Sequence, residues 1–369
     1  MDPYWPQHAP AKSPFHFPVL PAGANSHISL AGIQPDAGLK IIQDIIASAT
    51  KSLWIEMYLF DNDHVAQMLL SQKATHPGLD LRLLYHQPIL PPSLDPTGTQ
   101  RFPAWAIPNK AIRTDGQPVS VHHAKFILVD ADVPGKAKAY IMTANFTAQA
   151  LGGNRAGYAN REYIICDTDP NDIALLKAIF LADQAGHPLP TIPDGSNLIV
   201  SDINALSLLP LLLRTAKHSL AIQIEYLNDP PGEGALNLKQ ILLHSAQNGV
   251  AVQLMLPPLS PQPQGVPSAD NNETYRTLTP AVAVNVTPQY FMHAKMIIAD
   301  QQLAFVGSQN LSHQSLHYSR EVGIMISNKS VVASLLATFN ADWKYAQAQA
   351  QASKIHPPKP TFIQELFGK

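Results

Sequence analysis

The chain repeats itself once over about 170 residues, and this duplication limits the possible folds more than any other feature. Segment 37–52 has the apolar spacing of a helix, with Ile41, Ile42, Ile45, Ile46 and Ala49 on one face. The same pattern returns 167 residues later as Leu208, Leu209, Leu212, Leu213 and Ala216, and Ser52-Leu53 returns as Ser219-Leu220. Pro77-Gly78-Leu79-Asp80-Leu81 is echoed by Asn248-Gly249-Val250-Ala251-Val252 at a shift of 171. Each half runs helix, strand, helix, strand and then a proline-rich loop, at 86–109 and 257–268. A period this long excludes a short-repeat solenoid and implies two copies of one α/β unit.

The 369 residues suffice for two ordinary domains, and 46% apolar with 14% charged residues excludes a disordered chain. The expected division is an N-terminal extended arm over 1–36, rich in Pro, His, Gly and Ser, domains over 37–190 and 191–350, and a tail over 351–369. Lys and Arg total 25 against 27 Asp and Glu, which disfavours a protein that coats nucleic acid by bulk charge. The single cysteine, Cys166, excludes an internal disulfide and reads as a buried apolar residue in Ile164-Ile165-Cys166. No window holds 18 unbroken apolar residues, and Met1-Asp2-Pro3-Tyr4-Trp5 lacks the charged start and apolar run of a secretory signal. The expected location is cytoplasmic or peripheral to a membrane.

The polar groups suited to chemistry fall at matching places in the two copies. His123-Ala124-Lys125 with Asp130, and His293-Ala294-Lys295 with Asp300, both read His-x-Lys-x4-Asp, 170 residues apart. Four apolar residues after each Lys mark a buried strand. On a strand the His and Lys share a face, so each motif presents an imidazole beside an ammonium. Asp130 and Asp300 have the opposite parity and are expected to accept structural hydrogen bonds at the strand end. Asn145 and Glu162 follow the first motif; Ser308, Asn310 and Glu321 follow the second. Together these are parts suited to phosphoryl transfer. Lysine neutralises phosphate oxygens, Asn and Ser308 can donate to them, a neutral His can attack phosphorus, and a Glu on the other ring nitrogen sets its tautomer. His122 points to the opposite face and reads as structural. Glu56 and Glu225, on apolar strands at slightly different repeat positions, read as structural salt bridges. Trp105 is expected to pack its long loop onto the domain, and no role is assigned to His64, His86, His313 or His317.

Two His-x-Lys-x4-Asp motifs, each followed by an Asn segment and a Glu, resemble the phospholipase D superfamily. The one-chain duplicated form is similar to bacterial phospholipase D-like and cardiolipin synthase-like members. The resemblance covers most of residues 37–345. The second copy follows the family pattern closely, including Gly307-Ser308-x-Asn310; the first lacks Gly-Ser before Asn145. The resemblance implies two similar α/β/α-sandwich domains with mixed sheets about a pseudo-twofold axis, and an active site at their interface. It implies a covalent phosphohistidine, with no metal and no cofactor. His123 is carried over as nucleophile and His293 as acid/base, although the near symmetry of the halves leaves that order open. Glu162 is expected to orient His123 and Glu321 to orient His293, while Lys125, Lys295, Asn145, Asn310 and Ser308 hold phosphate. The implied activity is a phospholipase D-type phosphodiesterase (a hydrolase, and a possible transphosphatidylase) on phospholipid headgroups or another phosphodiester. The chain would act as a monomeric internal pseudo-dimer in peripheral contact with a membrane. A metal-independent nuclease of the same superfamily is the alternative. A non-catalytic relic that binds phosphorylated ligands is a third reading, opposed by the intact His and Lys in both halves.

Overall fold

A computed structural model of the chain describes residues 25–86, 90–99, 101–153, 159–193, 195–229, 236–259, 268–287 and 289–355. The first half comprises strands β1 (Ile28–Gln34), β2 (Ser52–Met57), β3 (Asp80–Tyr85), β4 (Ala106–Pro108), β5 (Phe126–Val129), β6 (Lys138–Met142) and β7 (Asn160–Asp167). Its helices are α1 (Lys40–Ser48), α2 (Asp63–Thr75) and α3 (Pro170–Ala185). The second half comprises β8 (Leu198–Val200), β9 (Ser219–Gln223), β10 (Leu227–Asn228), β11 (Ala251–Leu256), β12 (Ala283–Val286), β13 (Phe291–Met292), β14 (Met296–Ala299), β15 (Leu303–Gly307), β16 (Leu311–Ser312) and β17 (Val322–Ile326). Its helices are α4 (Ala205–Thr215), α5 (Leu238–Gln247), α6 (Ser268–Leu278) and α7 (Lys329–Ile355).

The two main sheets have one topology. The first runs β1-β7-β6-β5-β2-β3-β4 and the second, reversed, β8-β17-β15-β14-β9-β11-β12. Each is mixed: β2 and β3, or β9 and β11, pair in parallel, and the hairpin-connected strands beyond them are antiparallel. Apolar helix faces cover both sheets. Ile42, Ile45 and Ile46 of α1 and Val65, Ala66 and Leu69 of α2 close one outer core against β2, β3 and β5. Leu208, Leu209, Leu212 and Leu213 of α4 and Ile241 and Leu242 of α5 close its counterpart. The third core is shared, with Leu176, Ile179 and Phe180 of α3 and Leu335 and Phe339 of α7 packed between both sheets. The layers are therefore helices, sheet, α3 with α7, sheet, helices, as expected for two α/β/α sandwiches joined face to face.

Two expected boundaries move. Residues 28–34 lie inside the first domain, because β1 pairs along β7 from Ile28↔Asp167 to Gln34↔Glu162. Its short pattern is hidden by the Pro- and Gly-containing residues around it. At the other end α7 runs past 350 to Ile355. Most of the second proline-rich loop, 260–267, lies outside the described residues, as do 1–24 and 356–369. Trp105 packs against the first outer core, as expected, and Cys166 is buried.

The strand that follows each motif is buried along its whole length, Phe126–Val129 and Met296–Ala299. Asp130 and Asp300 end these strands in left-handed conformations, with φ of 49° and 51°. That conformation is costly for a non-glycine residue. It is offset by hydrogen bonds: Asp130 accepts from the backbone N–H groups of Thr50, Lys51 and Ser52, and Asp300 from those of Lys217, His218 and Ser219. Each aspartate thus ties the end of its motif strand to the turn that enters β2 or β9.

Candidate active site

Both motifs open onto one cavity of roughly 490 Å³ lined by residues from the two halves, among them His123, Asn145, His293, Asn310, Glu225 and Glu321. The lysines lie beneath its floor, fully buried. Each is steered by its own motif: Lys125 Nζ donates to the His123 carbonyl and Lys295 Nζ to the His293 carbonyl, both at 2.7 Å. Each Lys thus folds back on the backbone of its own motif, two residues upstream.

The carboxylates do not pair as expected. Glu321 Oε2 lies 2.7 Å from His123 Nδ1, and Glu162 Oε1 lies 2.8 Å from His293 Nδ1. Each imidazole is therefore faced by the Glu of the other half, which corrects the assignment of Glu162 to His123 and Glu321 to His293. The cause is backbone pairing across the domain interface. His122 bridges Arg320 in parallel, the His123 N–H donates to the Arg320 carbonyl, and β13 adds to the first sheet by pairing Phe291↔Asn160 and Met292↔Arg161. The segment that carries each Glu runs alongside the partner half's His.

Each Glu is propped by a hydroxyl, Thr143 for Glu162 and Ser315 for Glu321, while Thr143 and Ser308, at one repeat-related position, hold the backbone N–H that follows each Glu. Thr143 Oγ1 donates to Glu162 Oε2 at 2.6 Å and accepts from the Tyr163 N–H at 2.9 Å. Ser308 Oγ accepts from the Val322 N–H at 3.1 Å, and Ser315 Oγ donates to Glu321 Oε1 at 2.7 Å. Ser308 is fully buried and bonded to β17, so it supports the backbone beside Glu321 and does not line the cavity. That corrects its expected place among the phosphate donors, and Thr143 fills the same position in the first half, which lacks Gly-Ser. Asn145 and Asn310 do line the cavity. Their side-chain oxygens accept from the Leu59 and Tyr226 N–H groups at 3.3 and 3.4 Å, which turns each amide nitrogen inward.

Burial sets the electrostatics. Desolvation holds His123 well below its ordinary value, and the adjacent charges of Lys125 and Lys295 push the same way, so its ring is neutral. Desolvation also lowers Lys125 to about 7 and raises Glu321 to about 7. Burial opposes the charge on Glu162, but His293 and Lys295 outweigh it and the carboxyl is held below its usual range.

His122 points away from the cavity, as expected. Its Nε2 lies 3.0 Å from Glu56, with Asp183 at 3.8 Å, all three fully buried. Desolvation disfavours its charge, yet Glu56 and Asp183 raise it to about 9. This cluster, joined by Arg320 on Asp183, is the structural salt bridge expected of Glu56. Glu225 is different. It lines the cavity, accepts from Lys295 Nζ at 2.7 Å and Asn310 Nδ2 at 3.0 Å, and stands 3.5 Å from His293 Nε2. Its legible signal is position: it lies two residues past the end of β9, at the carboxyl end of a parallel strand, where α/β sites assemble.

A family model described as "Cardiolipin synthase, PLD-like domain" matches residues 42–184 and again 211–343. Cardiolipin synthase 1 of Staphylococcus epidermidis is 23% identical over 360 residues, covering 88% of this chain and 69% of that protein. A cardiolipin synthase of Clostridium perfringens is 31% identical over 134 residues, covering 36% of this chain and 27% of that one. Among solved structures, the phosphatidylserine synthase of Haemophilus influenzae superposes with a TM-score of 0.62 at 13% identity, covering 87% of this chain and 86% of that one. The polyphosphate kinase of Porphyromonas gingivalis gives 0.60 at 13% identity, covering 86% of this chain and 50% of that one. These two share the fold.

Proposed function

Because the chain belongs to the phospholipase D-like family that its two matched repeats define, we propose that it transfers or hydrolyses the phosphatidyl group of phospholipids through a phosphohistidine. The observation that carries this reading is the pair of imidazoles in one cavity, each with a carboxylate beside Nδ1, with Glu225 the further group 3.5 Å from His293 Nε2. A carboxylate on Nδ1 keeps that nitrogen protonated, so the electron pair of the neutral ring resides on Nε2. One Nε2 attacks phosphorus. As the N–P bond forms, the P–O bond to the leaving alcohol breaks and its electron pair goes to that oxygen, which takes the Nε2 proton of the other imidazole; that ring enters the step as imidazolium and leaves it neutral. Water or an acceptor alcohol then attacks phosphorus, gives its proton back to that imidazole, and the N–P bond breaks. Lysine and Asn amide groups carry the phosphate charge throughout. The cardiolipin and phosphatidylserine synthases among the relatives support a lipid substrate over a nucleic acid.

The test is turnover, with EDTA present, of phosphatidylcholine/phosphatidylglycerol mixed micelles with and without ethanol, beside single- and double-stranded DNA. Headgroup release with phosphatidylethanol formation is expected. DNA cleavage alone would replace the lipid reading with the nuclease, and silence on both substrates would overturn it.

A further inference from the structure

The two half-sites differ in the residue that stands beside the motif Lys. Leu59 and Tyr226 are equivalent, since each N–H donates to the motif Asn of its own half, so the residues before them, Tyr58 and Glu225, correspond. The same shift of 167 that aligns the repeats relates them. In the first half the Tyr58 ring stands edge-on to His123 at 4.7 Å and 5.4 Å from Lys125 Nζ. In the second half the carboxylate of Glu225 holds Lys295 and the Asn310 amide.

We propose that Glu225 closes the second half-site to phosphate, so that the phosphodiester is seated at His123, Lys125 and Asn145, and the second half-site takes the alcohol oxygen. This deepens the phosphodiesterase reading and rests on it. The argument begins with charge. Burial works against the ionised form of Glu225, but Lys295 and His293 outweigh it and hold the carboxyl far below its usual range, so it is an anion at any working pH. A phosphate oxygen at Lys295 would stand against that anion in a water-poor cavity, where like charges repel strongly. Lys295 and Asn310 are also already bonded. Among the described residues, no carboxylate lies within ion-pair distance of Lys125, and the Asn145 amide faces the cavity.

The assignment orders the chemistry. His123, neutral and beside the seated phosphate, forms the N–P bond. The P–O bond to the leaving alcohol breaks with its electron pair on oxygen, and that oxygen takes its proton from His293. In the second step the attacking hydroxyl returns a proton to His293 as the N–P bond breaks. Glu225, 3.5 Å from His293 Nε2, is placed to accept a hydrogen bond from the alcohol or its neighbouring hydroxyl.

The experiment is calorimetric titration of the full chain with sodium phosphate at a pH of about 6, where Lys125 is charged. The proteins compared are the wild type, Glu225→Gln and Lys125→Met, with melting temperatures recorded for each. Gln is isosteric with Glu, so the fold is expected to survive. Removing one negative charge from beside the second Lys should tighten binding at least about tenfold or add a second bound oxyanion. Lys125→Met should abolish the binding seen in the wild type. Unchanged affinity and stoichiometry in Glu225→Gln, wild-type affinity in Lys125→Met, or no binding by wild type and Glu225→Gln alike would each overturn the proposal. If Lys125→Met does not fold, the comparison with Glu225→Gln decides alone. Inorganic phosphate needs no lipid, so a chain inactive on phospholipid can pass this test and an active one can fail it.

Discussion

His123 meets its carboxylate across the domain interface, and that contact carries the pH dependence of the site. Glu321 must be ionised to hold the Nδ1 proton, and Lys125 must be charged to hold phosphate. Burial has moved both to about 7, the carboxyl from below and the ammonium from above. The kcat/KM profile should therefore be a narrow bell centred near neutral pH, rising as Glu321 loses its proton and falling as Lys125 loses its own. Glu321→Gln should remove the acid limb and cost about 100-fold in kcat or more; a bell unchanged in that variant would exclude Glu321 as the orienting group. His123→Ala and His293→Ala should each reduce turnover by at least about 1,000-fold while leaving the melting temperature within a few degrees. Normal turnover in either would remove that imidazole from the mechanism. The His-x-Lys pairs are legible in the sequence because their two-residue spacing needs only an extended backbone. Glu225 is legible only as a position at the carboxyl end of an apolar strand; that it holds Lys295 and Asn310 depends on which side chains distant strands bring to it.

The motif strands owe their position to the aspartates that end them. Burial opposes the charge of Asp130, but hydrogen bonds from Ser52, Thr50 and Lys51 outweigh it and its carboxyl sits below the usual range; Asp300 is held in the same way by Lys217, Ser219 and His218. For a carboxyl lowered in the folded state, the stabilisation is fully present above its unfolded value and is lost as pH falls through the folded one. Asp130→Ala should cost about 2–4 kcal/mol in denaturant unfolding at neutral pH, because several backbone N–H groups lose their acceptor together. That deficit should shrink as the pH is lowered, since the wild type then surrenders the same bonds. A deficit independent of pH would show that the carboxylate charge is not what holds the turn. The four apolar residues between Lys and Asp make these strands evident, whereas β1 stays hidden because an edge strand of seven residues carries little pattern of its own.

The whole molecule is clamped by two buried ion pairs related by the duplication. Arg161 reaches Asp342 of α7 through Nε and Nη2 at 2.8 and 2.7 Å, and Arg320 reaches Asp183 of α3 through Nε at 2.9 and 3.1 Å. Each arginine directly precedes the Glu that faces the other half's imidazole, so the clamps also set the register of the catalytic pairs. Asp342→Asn should cost about 3–5 kcal/mol, since it leaves a buried guanidinium with only the exposed Asp36, at 3.4 Å, as counter-charge. The joint replacement Arg161→Met with Asp342→Leu should recover much of that loss; equal loss in single and double variants would show that the charges contribute beyond their mutual pairing. The environments around the clamps differ: His122 and Glu56 in one half stand where Met292 and Gln223 stand in the other, with Gln223 donating to Asp342 at 3.1 Å. The sequence by itself determined the duplication, the alternation of helix and strand, and the residue types of each half-site, because periodicity and short-range spacing are properties of the local chain. Only the tertiary structure decided which Glu faces which His, that Ser308 supports β17 instead of the cavity, and that Glu225 sits on Lys295. Those contacts join segments tens to nearly two hundred residues apart, and pairing between the two halves selects among arrangements that local spacing leaves equivalent.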